Sequence, residues 1–360
     1  MIITQNKRQL IVSHLDLIIG FGFHLFLILS FVIVFSLAAS NADAQTQTST
    51  NTCSGRNFIN ELSAEKLSEA KTEASLIPNG SGLFWKVEKS GVEPSYLYGT
   101  MHVTDPRVLN LSASVRNTID ESNTVVIETL DLLDPKKAQA AVLMNPNLTM
   151  FTDGSTLTSS MSEDDAAYIE AELKARGIAI SLVNQFKPWM IMSLVASSDC
   201  ETARKAEGVQ ILDFLIIEQA KSANKEIKGL ESITEQLSAM ASLPIDFQVR
   251  GLLETLRLGD LNKDMMETMI SLYVDQEIGL IKPAIKVIAT ELGQEDIDDE
   301  SFGDFEAKII TERNHLMAER SEPILQEGNA FIAVGALHLP GEEGLIELLR
   351  ERGYTITRAN

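Results

Sequence analysis

Phe331-Ile332-Ala333-Val334-Gly335-Ala336-Leu337-His338 is an apolar run that carries straight into Gly-x-x-His. Its length and its lack of polar alternation fit a strand buried on both faces. The same frame occurs earlier in the chain, where Tyr96-Leu97-Tyr98-Gly99-Thr100-Met101-His102 leads a strand-like segment into a second Gly-x-x-His. In both, the His is delivered at the carboxyl end of a strand. The Gly three residues before it lets another backbone approach closely or lets the strand bend. Two such strands from opposite ends of the chain point to a sheet whose carboxyl edge carries both imidazoles, and in open α/β sheets that edge is where ligands bind.

Outward from these two segments, Leu83 to Glu88 and Ser95 to Met101 read as a hairpin around Ser90-Gly91. Leu109 to Glu121 reads as a helix, and Thr124-Val125-Val126-Ile127-Glu128 as a short buried strand that ends in a carboxylate. Residues 135–325 are mostly helical by periodicity, with stops at Pro146, Gly154, Gly177, Gly208, Pro244, Gly259 and Gly293 and with Ile227 to Leu230 as one more short strand. The tail returns to strand (Ala330 to Leu337), helix (Glu342 to Arg352) and strand (Tyr354 to Thr357). The expected fold is therefore α/β (α+β): a central sheet built from both ends of the mature chain, flanked by helices, with a helical middle region.

Before this domain, Lys7 and Arg8 precede the almost wholly apolar Leu17 to Ala39, and Ala42-Asp43-Ala44 has the form of a cleavage site. Residues 1–44 are read as a signal peptide or, because the apolar run is long enough to span a bilayer, an N-terminal membrane anchor through residues 17–39. Either way the remainder lies outside the cytoplasm, periplasmic or secreted. Residues 45–80 form a polar tether and a peripheral helix around Phe58 to Glu73, and residues 81–360 form the domain, with a helical insertion at about 135–325. The net charge is -21, and the leader removes as many basic as acidic residues (Lys7 and Arg8, Asp16 and Asp43), so the charge survives maturation. That charge argues against nucleic acid as a partner. Two cysteines, Cys53 and Cys200, exclude a disulfide framework or a Cys-rich zinc module, and their separation does not say whether they pair. The acidic run Glu291 to Glu306 lacks the regular spacing of a calcium loop and reads as a solvated loop and helix start.

Of the five histidines, His14 and His24 belong to the leader, which leaves His102, His315 and His338. A strand-end His is commonly a hydrogen-bonded structural residue, but two of three in duplicate Gly-x-x-His frames weigh toward function. Glu128 arrives at the same kind of position, either as a third ligand or as a cap for the next helix. His102, His338 and Glu128 would together make a divalent-metal site with a position open for water. In the helix expected over Ser301 to Glu327, Phe305, Ile309, Leu316 and Ile324 trace an apolar stripe on which Arg313 falls. A buried Arg needs a partner: a catalytic carboxylate, a substrate anion or a core salt bridge. Asn314 and His315 are expected on other faces, His315 at the surface, and Trp189 of Lys187-Pro188-Trp189 is expected in the core.

Taken in order, Leu83-Phe84-Trp85-Lys86-Val87, Tyr98-Gly99-Thr100-Met101-His102, Val125-Val126-Ile127-Glu128, Lys187-Pro188-Trp189, Gly229-Leu230-Glu231 with Glu235-Gln236-Leu237, Glu312-Arg313-Asn314 and Val334-Gly335-Ala336-Leu337-His338-Leu339-Pro340-Gly341 resemble the TraB/GumN family over roughly residues 82–358. The animal relatives of that family include the TIKI proteases. The resemblance implies a mixed sheet flanked by helices, like that of erythromycin esterases and the haem-binding lipoprotein ChaN. It also implies a metal-dependent protease chemistry using two Gly-x-x-His motifs and an acidic residue, with manganese or cobalt as the metal; zinc also suits the donors. Carried over, His102, His338 and Glu128 are metal ligands, Glu128 and Arg313 are catalytic, and Gly99, Gly335 and Asn314 are supporting. A peptide or protein substrate follows. The alternatives are a non-enzymatic binding protein for haem or a cell-surface ligand, and a metal-independent esterase.

Overall fold

A computed structural model describes residues 55–292, 303 and 305–359; the expected leader, the start of the tether and most of the acidic run lie outside these residues. The described chain forms one six-stranded sheet: β1 (Phe84–Glu88), β2 (Ser95–Thr100), β3 (Thr124–Thr129), β4 (Glu226–Glu231), β5 (Ala330–Gly335) and β6 (Thr355–Arg358), in the order β4-β3-β5-β2-β1-β6. The mixed α/β architecture expected from the sequence is the one found. β1 and β2 form the antiparallel hairpin, Phe84 opposite Tyr98, with Gly91 of the turn at φ 80°, a left-handed conformation that favours glycine. β6 adds antiparallel to β1. β2, β5, β3 and β4 are mutually parallel, so four carboxyl ends share one edge.

The thirteen helices longer than one turn are α1 (Ala64–Ala74), α2 (Ala113–Glu121), α3 (Pro135–Met144), α4 (Glu163–Ala175), α5 (Pro188–Ala196), α6 (Asp199–Ala206), α7 (Leu212–Ser222), α8 (Ile233–Ala241), α9 (Ile245–Leu258), α10 (Leu261–Val274), α11 (Ile281–Glu291), α12 (Glu312–Glu327) and α13 (Leu345–Glu351), among the described residues. The helix expected over Leu109 to Glu121 is in fact two pieces. Asp105 caps a single turn, Pro106–Leu109, and the Ser112 side chain then accepts the Val115 N–H to start α2 afresh. Strand β5 likewise stops at Gly335, and Ala336–His338 turns into a 3₁₀ segment.

β3 and β5 are buried along their whole length, as central strands covered on both faces should be. On one face Tyr98, Val125, Phe331 and Ala333 meet residues of α7, α10 and α11, among them Ile216, Met269 and Ile288. On the other, Leu97, Val126, Ile332 and Val334 meet Met317 and Ala318 of α12 and Ile346 and Leu349 of α13. The helical middle has its own apolar cluster, in which Trp189 of α5 is fully buried among Leu237, Leu252 and Ile309, its indole N–H donating to the Leu148 carbonyl at 3.1 Å. β4 comes from within that middle region, so the sheet draws on more than the two ends of the chain.

The helix expected over Ser301 to Glu327 is interrupted: Phe305 and Glu306 are helical, Ala307–Thr311 is a π-helical turn, and α12 follows from Glu312. An i→i+5 turn inserts one extra residue and rotates everything after it by about 100° relative to an uninterrupted α-helix. The buried face therefore runs Arg313, Asn314, Met317, Ala318, Ser321, Ile324 and Leu325, while Leu316 is only half-buried. Asn314, expected on another face, is turned inward beside Arg313.

Candidate functional site

Each of the four parallel strands brings a polar side chain to the shared edge. β2 leads through Met101 to His102, β5 through Ala336-Leu337 to His338, β3 carries Glu128 and β4 ends in Glu231. All four side chains are buried. Gly99 and Gly335, the glycines of the two Gly-x-x-His frames, act differently. A Cβ on Gly99 would lie 3.0 Å from the Cα of Ala336 and 2.8 Å from Leu339 Cδ1, so the missing side chain lets the second motif cross directly over the first. Gly335 has φ -53° and ψ 135°, which any residue adopts. Its contribution is its N–H, which donates to Glu128 Oε1 at 2.7 Å.

Each imidazole is held through Nδ1. His102 Nδ1 lies 2.6 Å from Asp213 Oδ2, and the other oxygen of Asp213 accepts the Thr100 hydroxyl at 2.9 Å. His338 Nδ1 lies 2.6 Å from Asn314 Oδ1. The Asn314 amide nitrogen donates to the Glu343 carbonyl at 2.8 Å, which fixes its oxygen toward the ring. An acceptor in that place requires the proton on Nδ1, so neutral His338 carries its lone pair on Nε2. Burial, seconded by the nearby Arg313 charge, pushes the pKa of His338 down to about 3, and the imidazole stays neutral at physiological pH. For His102 burial acts in the same direction, but the Asp213 carboxylate outweighs it and the pKa lies above the ordinary value. The two rings are thus shifted in opposite directions, because one partner is a carboxylate and the other an amide.

Glu128 sits between these groups. Its Oε2 accepts from Arg313 Nη2 at 2.8 Å and from Gln236 Nε2 at 3.1 Å, and its Oε1 is 3.9 Å from His338 Nε2. Burial alone would raise its pKa; the adjacent Arg313 charge, with the two imidazoles, instead holds it down at about 2. Arg313 is the buried cation that the sequence requires to have a partner, and among the described residues two carboxylates fill that role. Nε and Nη2 reach Glu231 at 3.0 and 2.7 Å while Nη2 also reaches Glu128, and Nη1 donates to the Ile309 carbonyl of the π turn at 3.2 Å. The guanidinium is thus a clamp between two carboxylates, and its geometry is that of a positioning group. His315 is exposed, 3.3 Å from Glu343 Oε1.

Three members of this network were not among the candidate site residues, although Glu231 and Gln236 lie within segments that carry the family resemblance. Glu231 stood in plain view as the residue after the short strand Ile227 to Leu230. Gln236 lies in the quoted segment Glu235-Gln236-Leu237, which gave it no role of its own. Asp213 opens α7, where a carboxylate in the first turn is commonplace, so no one-dimensional signal marked it.

Two imidazoles with anchored Nδ1 atoms are the arrangement found where His binds a metal through Nε2, since the second hydrogen bond sets tautomer and ring orientation. Nitrogen donors beside a carboxylate suit manganese, cobalt or zinc. Glu128 Oε1 retains a lone pair after accepting the Gly335 N–H. Among the described residues, however, no group of three or more His, Cys, Asp or Glu side chains is gathered as a metal cage. The donors are chemically suited, with both Glu128 oxygens turned onto protein partners.

The structure is that of an α/β protein with strand-end histidines and a clamped glutamate at one parallel edge, and sequence comparison assigns the chain to a family. The TraB/PrgY/gumN family profile matches residues 83–358, and the chain belongs to that family. It is similar to the protein named metalloprotease TIKI1 of Danio rerio, 25% identical over 323 residues, covering 77% of this chain and 63% of the relative. The human protein of the same name is 23% identical over 329 residues, covering 78% of this chain and 62% of the relative. An uncharacterized protein of Treponema pallidum (strain Nichols) is 23% identical over 286 residues, covering 77% of this chain and 83% of the relative. The chain thus spans only about three-fifths of the TIKI relatives. No solved structure matches it.

Proposed function

We propose that the protein is a metal-dependent hydrolase acting on peptides outside the cytoplasm. The observation that carries this reading is the pair of buried imidazoles at one sheet edge, each with Nδ1 anchored and Nε2 left over, beside the Glu128 carboxylate. Its relatives named as metalloproteases give the reaction class. In this reading His102 and His338 hold a divalent ion with Glu128, and Asp213 and Asn314 set the rings that do so. When bound, such an ion polarises a carbonyl and lowers the pKa of water. Glu128, ionised far below neutrality, is poorly matched to general-base work near pH 7 and better suited to ligation. Arg313 keeps that carboxylate ionised and aimed. The disulfide at Cys200 and the leader read from residues 1–44 both support an oxidising compartment. Among the described residues no helix is long and apolar enough to cross a membrane.

The test is cleavage of a peptide pool by the purified protein, before and after chelation and on return of manganese, cobalt or zinc. His102→Ala and His338→Ala should each abolish metal-dependent cleavage and lose the bound metal measured by calorimetry, while circular dichroism stays native. Undiminished cleavage after chelation would sink the reading. It would favour instead the metal-independent hydrolase for which the 2.6 Å Asp213–His102 contact provides an acid–base pair.

A further inference from the structure

Beside the candidate site lies an apolar cavity that the chemistry above does not use. It is lined by Met101, Ala336 and Leu337 from the two Gly-x-x-His segments and by Met269, Tyr273 and Ile281 from α10 and α11 among others. Met101 is the residue before His102, and Ala336-Leu337 are the residues before His338. The backbone that delivers both imidazoles therefore also walls the cavity. Its one hydroxyl is turned away: Tyr273 Oη donates to the Gly99 carbonyl at 2.9 Å, which leaves only hydrocarbon and thioether facing inward. Its free volume is about 10 Å³, close to what a single water-sized group needs, so a larger occupant requires the walls to yield. Most of the lining is buried, and Leu337 is half-buried. Met101 and Met269 are pliable, so the walls can yield to a modest side chain.

We infer that this cavity is a side-chain pocket that receives a small aliphatic residue of the substrate next to the bond held at the sheet edge. A charged or amide side chain would enter with nothing to hydrogen-bond, the costly case for a buried polar group, and a large aromatic one would exceed the space. The identification of the occupant as a peptide residue rests on the peptidase reading; the apolar selectivity rests on the lining alone.

Two measurements separate these. The first is methyl NMR on protein labelled with ¹³C-methyl methionine, without metal, titrated with N-acetylvaline amide and with N-acetylaspartate amide. The valine derivative should shift the Met101 and Met269 methyls and the aspartate derivative should not; absence of shifts at these two methyls overturns the pocket. The second is a manganese-supplied peptide pool varied on both sides of the scissile bond. Ala or Val should be preferred over Asp or Lys by about tenfold or more in kcat/KM, and Met269→Ala should move the optimum toward Leu or Phe. Cleavage without apolar preference, or a profile unmoved by Met269→Ala, overturns the pocket and leaves the peptidase reading standing. Methyl shifts without cleavage of any peptide support the pocket and overturn the peptidase reading.

Discussion

At the scale of single residues, the site is governed by what each histidine's Nδ1 touches. Asn314 is the sharper case, because its amide is oriented by a backbone carbonyl and leaves His338 no choice of tautomer. Replacing it with leucine strands a buried N–H, at about 1–3 kcal/mol, and should weaken metal binding by about 10–100-fold in calorimetry. Asn314→Asp keeps the acceptor but supplies a charge, so the His338 pKa should rise from about 3 in an NMR titration of the metal-free protein. Gly99 gives a complementary prediction. In Gly99→Ala the new Cβ meets the Ala336 backbone at 3.0 Å, and neither chain can give way without moving a Gly-x-x-His segment. Chemical denaturation should show a loss of about 1–3 kcal/mol, the usual cost of overpacking. The sequence offered the need for a glycine here but not the identity of the backbone that crosses it.

At the scale of elements, legibility tracked how local the causes were. β3 and β5 were readable because a strand buried on both faces must be apolar at every position, and Thr124 to Ile127 and Phe331 to Val334 nearly are. The inward turn of Asn314 was not readable, because a π turn leaves no compositional mark and a 3.6-residue period extrapolated through it misplaces the next face by one residue. α8 carries a local signal that the sequence reading did not use. Ser232 and Glu235 form a reciprocal capping box at its start, and Arg320 of α12 grips the same carboxylate at 2.7 Å. The Arg320 hydrogen bond, then the Ser232 donors, hold the Glu235 pKa down to about 2 against the opposing effect of burial. A depressed carboxylate stabilises the fold at pH values above its unfolded pKa, and that contribution fades as pH falls from about 4.5 toward 2. Glu235→Gln should therefore lower Tm at pH 7 and at 50 mM salt, with the difference from the unaltered protein closing by about pH 2. The pair is more than a third exposed, so part of the effect should also vanish in 1 M salt.

At the scale of the whole molecule, the long-range tie is the disulfide. The count of two cysteines permitted a pair but could not announce it, because separation along the chain carries no information about distance in the fold. In the structure Cys200 is disulfide-bonded, and Cys53 is the only other cysteine of the chain. The described residues that follow Cys53 are pinned to α10: Arg56 pairs with Asp264 at 2.9 Å and the Phe58 N–H donates to Thr268 at 2.9 Å. Next to Cys200 in α6, Glu201 takes the Thr104 N–H and hydroxyl at 3.0 and 2.7 Å, two residues beyond His102. The bond at Cys200 thus anchors the helix whose next residue steadies the segment after one imidazole. A native disulfide limits the unfolded chain, which by the entropic account is worth about 2–5 kcal/mol. Reduction, or Cys200→Ser, should lower the free energy of unfolding by that amount in guanidinium titrations, and reduction should have no further effect on the variant. Thiol titration of the denatured protein should find no free thiol in material exported to an oxidising compartment and two in material retained in the cytoplasm. Two thiols in exported protein would remove both the tie and the support it lends to an extracytoplasmic location.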